Sequence, residues 1–305
     1  MLYRHWNLPP VPAALTLFSR PFAAPFRAAA FALAVGALSA CSTAQTLDVS
    51  APPPVAAPIS AKHAAIVVDG STGRTLYESA STESRYPASL TKMMTLYLLF
   101  EAMDRGQVSP ATPLPVSAFA ASQPPSKLGV KAGHTIAVES AIQSLATKSA
   151  NDVAVVVAEY LGGSEAQFAS MMTARARSLG MSGTTFRNAS GLPDAEQRTT
   201  ARDMALLGMA LRKRFPQYYG YFSARTFAYN GRAIRGHNHI LSRVEGADGI
   251  KTGYIRASGF NVVSSVNRDG RRLVVTVMGG ESAKARDDYA EMLIEHYLPR
   301  AKRGG

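Results

Sequence analysis

The chain has 305 residues, 47% of them hydrophobic and 18% charged, with a formal net charge of +12. That composition supports a real core and excludes a disordered polyelectrolyte. The basic residues are scattered, their clusters are no longer than Arg212-Lys213-Arg214, and no basic stretch is interleaved with aromatics. This argues against nucleic acid as a partner and leaves anionic envelope polymers as the counterpart of the charge.

In chain order, the first feature is an address. Residues 28–40, AAAFALAVGALSA, follow Arg27 as a short apolar run ending in small residues. The run is too short to span a bilayer comfortably and reads as a secretory h-region. The 27 residues before it are long for an n-region, which fits a start codon placed too far upstream. Next stands Cys41, the only cysteine, so no intramolecular disulfide is available. Leu38-Ser39-Ala40-Cys41 resembles the lipobox of bacterial lipoproteins, in which the cysteine is lipidated and becomes the mature N-terminus. A plain signal peptide cut after Ala44 is the alternative. Residues 41–60 are rich in Pro and Ala and read as a linker holding a folded domain off a membrane. The expected organisation is a signal segment at 1–40, this linker, a domain at 61–300 and a tail at 301–305. No other segment is apolar enough to span a bilayer.

The folded part opens with two strands over 64–78 joined by a Gly-containing turn. Helices are expected at 88–103, with Pro87 at its start, and at 136–147, 151–161, 164–179 and 200–213. Residues 226–234 read as a hairpin turning at Asn230-Gly231, and 260–280 as one turning at Asp269-Gly270. A helix over 283–297 closes the pattern. Strands, then helices, then strands and a last helix predict an α+β fold, one antiparallel sheet with helices packed on it.

Three short boxes carry the chemistry. In Pro87-Ala88-Ser89-Leu90-Thr91-Lys92, Ser89 and Lys92 lie three apart and share a helix face. A serine hydroxyl is a weak nucleophile and needs a neighbouring base. A lysine is that base only when its pKa falls, and the apolar run MMTLYLLFEAM after Lys92 supplies the burial that lowers it. Ser149-Ala150-Asn151 and Lys251-Thr252-Gly253 follow, in that order. Each box alone is weak; the ordered set is the mark of the penicillin-recognising serine enzymes.

With the neighbouring YPASLTKMMT, KSANDVA, ARDMALLG, DGIKTG and VVTVMGG, the stretch 62–298 resembles the low-molecular-mass penicillin-binding proteins, the serine-type D-alanyl-D-alanine carboxypeptidases of peptidase family S11. The resemblance implies a β-lactamase/transpeptidase-like fold, an antiparallel sheet covered by helices with an all-helical lobe. It implies a carboxypeptidase that removes the terminal D-alanine of peptidoglycan pentapeptide stems, binds β-lactams, and needs neither metal nor cofactor. Ser89 would attack the carbonyl between two D-alanines, Lys92 would take its proton, and Ser149 would relay a proton to the leaving D-alanine. Asn151 would bond the acyl amide, and Lys251 would lend positive charge near Lys92 and Ser149 and orient the hydroxyl. The N–H groups of Ser89 and Tyr254 would form the oxyanion hole, with Thr252 and Gly253 shaping the strand beside the peptide. Arg286 stands where the family has a carboxylate-binding arginine, with Arg256 and Lys284 as rivals. Departures are Tyr254, where several members have histidine, and the expectation that the downstream β-rich domain and C-terminal amphipathic anchor of many members are missing. Cys41 would then anchor the chain in the membrane, and Ser42 after it points to the outer membrane of the cell envelope.

Three further segments remain. QPPSKLGVKAG (123–133) reads as a loop that would border the cleft. Asp152 reads as a structural helix-start acid. His237-Asn238-His239 lacks the neighbours of a metal site and reads as a polar loop near the cleft. Three rivals share parts of the reading. A class A β-lactamase would carry a Glu-x-x-Leu-Asn pattern between the second and third boxes, and none occurs over 152–250. A D-alanyl endopeptidase cutting cross-links has the same boxes. A catalytically silent wall-binding lipoprotein would not need Ser89, Lys92, Ser149 and Lys251 intact.

Overall fold

A computed structural model describes residues 60–304. The apolar run, Cys41 and all of the linker but Ser60 lie outside the described residues. Among the described residues no helix is long and apolar enough to cross a membrane.

The chain enters as β1 (Ala64–Asp69) and β2 (Thr75–Ser79). A 3₁₀ turn over Ala88–Thr91 leads directly into α1 (Lys92–Asp104). A two-stranded sheet of β3 (Pro113–Pro115) and β4 (Thr135–Ala137) brackets the short α2 (Ala118–Ser122). Then come α3 (Val138–Gln143), a π-helical turn over Ser144–Lys148, α4 (Asn151–Gly162), α5 (Glu165–Ser178) and α6 (Ala201–Arg214). The hairpin β5 (Thr226–Tyr229) and β6 (Arg232–Arg235) and the short α7 (Ile240–Arg243) precede β7 (Ala247–Ile255). Last are β8 (Gly259–Arg268), β9 (Arg271–Gly280) and α8 (Ala283–Tyr297).

The main sheet has the order β2-β1-β9-β8-β7, antiparallel throughout. Both faces are covered, and the strands' period of two divides the residues between them. Ile66, Val68, Val263 and Val274 pack with α1, α4, α5 and α6 in one core. Ala65, Val67, Val262, Val275 and Val277 pack under Leu293, Ile294 and Tyr297 of α8 in another. This is the expected α+β arrangement, with α1 to α5 as the helical lobe. Apart from Asp104 at its end, every residue of α1 is buried, as expected of a helix apolar all round.

Local chemistry sets the elements. Both hairpins turn where expected, and Asn230, Gly231, Asp269 and Gly270 all have positive φ, the left-handed pair that a two-residue turn between right-twisted strands requires. Ser164, Thr200 and Ser282 cap α5, α6 and α8 by accepting N–H bonds from residues three further on. Two expected helices differ. The one read over 88–103 opens with the 3₁₀ turn, and only from Lys92 is it α-helical. The one read over 136–147 begins in β4 and loosens into the π turn. β3 was hidden because Pro113 and Pro115 mark it against strand.

Candidate active site

The nucleophile's turn is clamped by backbone. Ala88 sits at φ 49, and its carbonyl lies against Gly191, where a Cβ would come within 1.9 Å of the Ala88 oxygen. From the other side a Cβ on Gly253 would stand 2.9 Å from the Ser89 nitrogen. Only glycine lets both segments approach so closely. Asn261 of β8 completes the clamp: its Nδ2 donates to the carbonyls of Tyr86 and Pro87 at 3.1 and 3.3 Å, and its Oδ1 accepts from Gly279 N at 3.0 Å.

Lys92 lies beneath Ser89 with no accessible surface. Its Nζ is 3.3 Å from Ser89 Oγ, 2.7 Å from Asn151 Oδ1 and 2.5 Å from the Ser190 carbonyl oxygen. Burial holds its pKa well below the usual lysine range, and the charge of Lys251 adds to this; Asp152 and Glu165 oppose it from further off. A neutral amine has two N–H groups and one lone pair. Asn151 and Ser190 take the two N–H groups, which leaves the lone pair for the Ser89 hydroxyl. The local geometry therefore favours proton transfer from serine to lysine.

Lys251 is also buried, its Nζ donates to the Thr252 carbonyl at 2.8 Å, and burial together with the Arg286 charge pushes its pKa down to about 7. The expected contact with Ser149 is not made. Ser149 sits at φ 64 after the π turn, and its Oγ is buried with no partner among the described residues. Asn151 differs too: Lys92 occupies its Oδ1, and its Nδ2 donates to the Pro124 carbonyl at 2.9 Å. Its place at the start of α4 turns it inward to the amine as well as toward the cleft.

Ser89, Ser149, Asn151, Thr252, Gly253, Tyr254 and Arg286 line one open cleft of ≈ 440 Å³. β7 is the last strand in the sheet order, so one of its edges pairs with no strand among the described residues, an edge to which an extended peptide can add. Tyr254 is 53% exposed and stacks on Phe260 with ring centroids 4.2 Å apart. Arg286 is only 3% exposed. It forms a salt bridge to Asp287 Oδ1 at 2.8 Å and donates to the Asn261 carbonyl at 3.1 Å. Neither rival lines the cleft: Arg256 is exposed, and exposed Lys284 pairs with Asp288.

The loop over 123–133 brings Pro125 and Ser126 to the rim of the cleft. Asp152 holds it there. The carboxylate accepts N–H bonds from Leu128, Gly129 and Val130 at 3.0, 2.7 and 3.2 Å. His237 and His239 also line the cleft. The sequence reading did not find Gly191, Ser190 or Asn261. Ser190 acts through its carbonyl, Gly191 through close packing and Asn261 through its side-chain amide, each across a distance in sequence that no short motif spans.

Comparison with known proteins settles the family. The model of the D-alanyl-D-alanine carboxypeptidase family, peptidase S11, matches residues 48–282. The chain belongs to this family. It is 32% identical over 237 residues to the D-alanyl-D-alanine carboxypeptidase DacD of Salmonella typhimurium, a match covering 75% of this chain and 61% of that protein. To the Escherichia coli carboxypeptidase DacA it is 33% identical over 236 residues, covering 75% and 59%. The match thus spans about three fifths of these relatives' length. The crystal structure of DacD from Francisella tularensis superposes with a TM-score of 0.77 at 30% identity, covering 81% of this chain and 72% of that one. Penicillin-binding protein D2 of Listeria monocytogenes in its ampicillin-bound form superposes at 0.67 and 31% identity, covering 76% and 95%. The fold is that of the penicillin-binding proteins.

Proposed function

We propose that the chain is a serine carboxypeptidase that removes the terminal D-alanine from peptidoglycan pentapeptide stems and is acylated by penicillin, with a role in cell-wall biogenesis and cell shape. The observation that carries this is Lys92: a fully buried amine, its pKa held well below the usual lysine range, 3.3 Å from a serine hydroxyl. Ser89 Oγ attacks the carbonyl between the two D-alanines, and Lys92 Nζ takes the hydroxyl proton. The N–H groups of Ser89 and Tyr254 stabilise the oxyanion, each contributing about 3–4 kcal/mol at the transition state. The C–N bond breaks, and the leaving amine takes a proton by way of Ser149. Water then hydrolyses the ester on Ser89. Arg286, fixed by Asp287, and Thr252 hold the terminal carboxylate; a planar guanidinium suits that group better than an ammonium. Relatives named as D-alanyl-D-alanine carboxypeptidases and penicillin-bound neighbours support the same reading.

Intact-protein mass after incubation with penicillin tests it. Wild type is expected to gain one covalent adduct and Ser89→Ala none. A folded wild type that stays unmodified would sink the acyl-enzyme mechanism and favour a wall-binding role.

For location, the proposal is an envelope protein anchored by a lipid on Cys41 at the outer membrane, supported by the Leu38–Cys41 pattern, Ser42 and the Pro/Ala-rich segment behind them. Metabolic labelling with an alkyne fatty acid is expected to mark wild type and not Cys41→Ala. Label in neither would leave a plain signal peptide.

A further inference from the structure

Proton transfer from Ser89 depends on how the Lys92 amine is held, and one of its acceptors comes from a loop, residues 188–192, outside all three boxes. The Ser190 carbonyl of this loop accepts from Lys92 Nζ at 2.5 Å. Gly191 packs on the Ala88 carbonyl, and Gly191 and Leu192 line the cleft. The residue before them, Ala189, is gripped from two helices. Its carbonyl accepts from Thr95 Oγ1 of α1 at 2.7 Å. Its N–H donates to Glu165 Oε1 of α5 at 3.0 Å.

An acid in the first turn suits a helix dipole, and Glu165 stands just after the Ser164 cap of α5. A helix-start acid has no need, however, of a partner 24 residues away. Glu165 is half-buried and forms no ion pair among the described residues. Burial raises its pKa and the Ala189 N–H opposes this; Glu159 then raises it and Lys92 lowers it, so the cation it feels is Lys92. The attraction is mutual. Burial and Lys251 of β7 push the Lys92 pKa down, while Asp152 of α4 and Glu165 push it up. Asp152 is spent on the N–H groups of the rim loop. Glu165 is the carboxylate tied to the loop that touches the amine.

We propose that Glu165 is a positioning residue of the acylation step: through Ala189 it holds the Ser190 carbonyl on the Lys92 amine, and its charge steadies the ammonium formed when that amine takes the Ser89 proton. The inference rests on the acyl-enzyme reading above and adds a residue to it. The proton passes from Ser89 Oγ to Lys92 Nζ as before, and Glu165 neither gives nor takes one. Its two roles separate by chemistry. The hydrogen bond keeps the N–H groups of the neutral amine committed, so that the lone pair stays on the serine. The charge favours the protonated amine.

Rates of acylation by a fluorescent penicillin, followed on the full chain across pH, test this with two substitutions at one position. Glu165→Gln keeps an oxygen for the Ala189 N–H and loses the charge. Its plateau rate is expected to stay near that of wild type, while the acid limb moves to lower pH by about half a unit, because the ammonium is less well supported. Glu165→Ala loses both. It should show the same shift and a plateau about tenfold lower, the scale of one lost hydrogen bond to a charged group. The dissociation constant of the non-covalent penicillin complex should hold in both, since Glu165 does not line the cleft. Should Glu165→Ala fail to fold, Thr95→Val frees Ala189 from its other side and removes no charge; it should lower the plateau and leave the limb in place. Unmoved limbs in both Glu165 variants, or a Gln plateau as low as that of Ala, would overturn the proposal, since the acid would then only start a helix. A wild type that is not acylated, or a Lys92→Arg variant that reacts at a normal rate, brings down the acyl-enzyme reading first. Expected behaviour there beside Glu165 variants that match wild type sinks this inference alone.

Discussion

Lys92 and Arg286 are both buried basic side chains of one cleft, and the fold treats them oppositely. Around Lys92 the partners are neutral: an amide oxygen, a backbone carbonyl and a hydroxyl. No carboxylate pairs with it among the described residues, so burial outweighs the more distant Asp152 and Glu165 and holds the amine's pKa well below the usual lysine range. Around Arg286 the fold places Asp287, itself buried, against the guanidinium. Burial lowers this group's pKa as well, and the adjacent carboxylate opposes the shift. An arginine stays charged regardless. The same desolvation thus favours a base in one place and leaves a fixed positive charge in the other; the intrinsic basicity of the group decides which, and the counter-ion steadies the charge that stays.

The sharpest way to break this comparison is to make the first site behave like the second. Lys92→Arg puts a permanent charge where a neutral amine is needed. It is expected to slow penicillin acylation by about 10³-fold, within the range of a lost general base, in a protein whose circular dichroism is unchanged. Acylation at a near-normal rate would mean that Lys92 is not the proton acceptor.

The second site is broken through its counter-ion. Asp287→Ala leaves the Arg286 charge buried and unpaired, a situation that costs about 3–5 kcal/mol. Urea unfolding should show a loss of about 3 kcal/mol, and the KM for a pentapeptide should rise because the guanidinium loses its anchor. If stability is unchanged, water already solvates Arg286 and the contrast with Lys92 weakens.

What could be read in the sequence follows the same division. Ser89 and Lys92 were legible because a helical turn alone brings residues three apart together, and the apolar run after them announced burial. The hairpin turns were legible from Asn230-Gly231 and Asp269-Gly270, whose backbone preference is local. Partners joined by the fold were not. Ser190 contributes only a carbonyl, 98 residues from Lys92, and any residue type has one. Gly191 and Asn261 matter for what touches Ala88 and Pro87, which no spacing encodes. Asp152 was read as a helix-start acid; its four N–H bonds, three from the rim loop and one from Val153, show that it fixes the cleft wall as well. The expected Lys251–Ser149 contact failed for a related reason. The π turn and the left-handed Ser149 set that hydroxyl's direction, and residue periodicity does not reveal either.

The smallest predicted effect is the most specific, because it tests whether the two regions influence each other. Lys251 lies near both, its pKa is about 7, and its positive charge disfavours a proton on Lys92. Acylation needs neutral Lys92, so its rate should fall as pH falls through the depressed pKa of that amine. In Lys251→Gln the repulsion is gone and the Lys92 pKa rises. The acid limb of the acylation profile should therefore move to higher pH, by about one unit. Stability gives an independent check. Unfolding lets Lys251 bind a proton between about 7 in the folded state and about 10.4 in the unfolded chain. The unfolded state then holds more protons, so stability rises with pH across that window. Lys251→Gln should flatten this rise while shifting the acylation limb. A flattened rise with an unmoved limb would show that Lys251 is merely a buried lysine, and that desolvation alone sets the base.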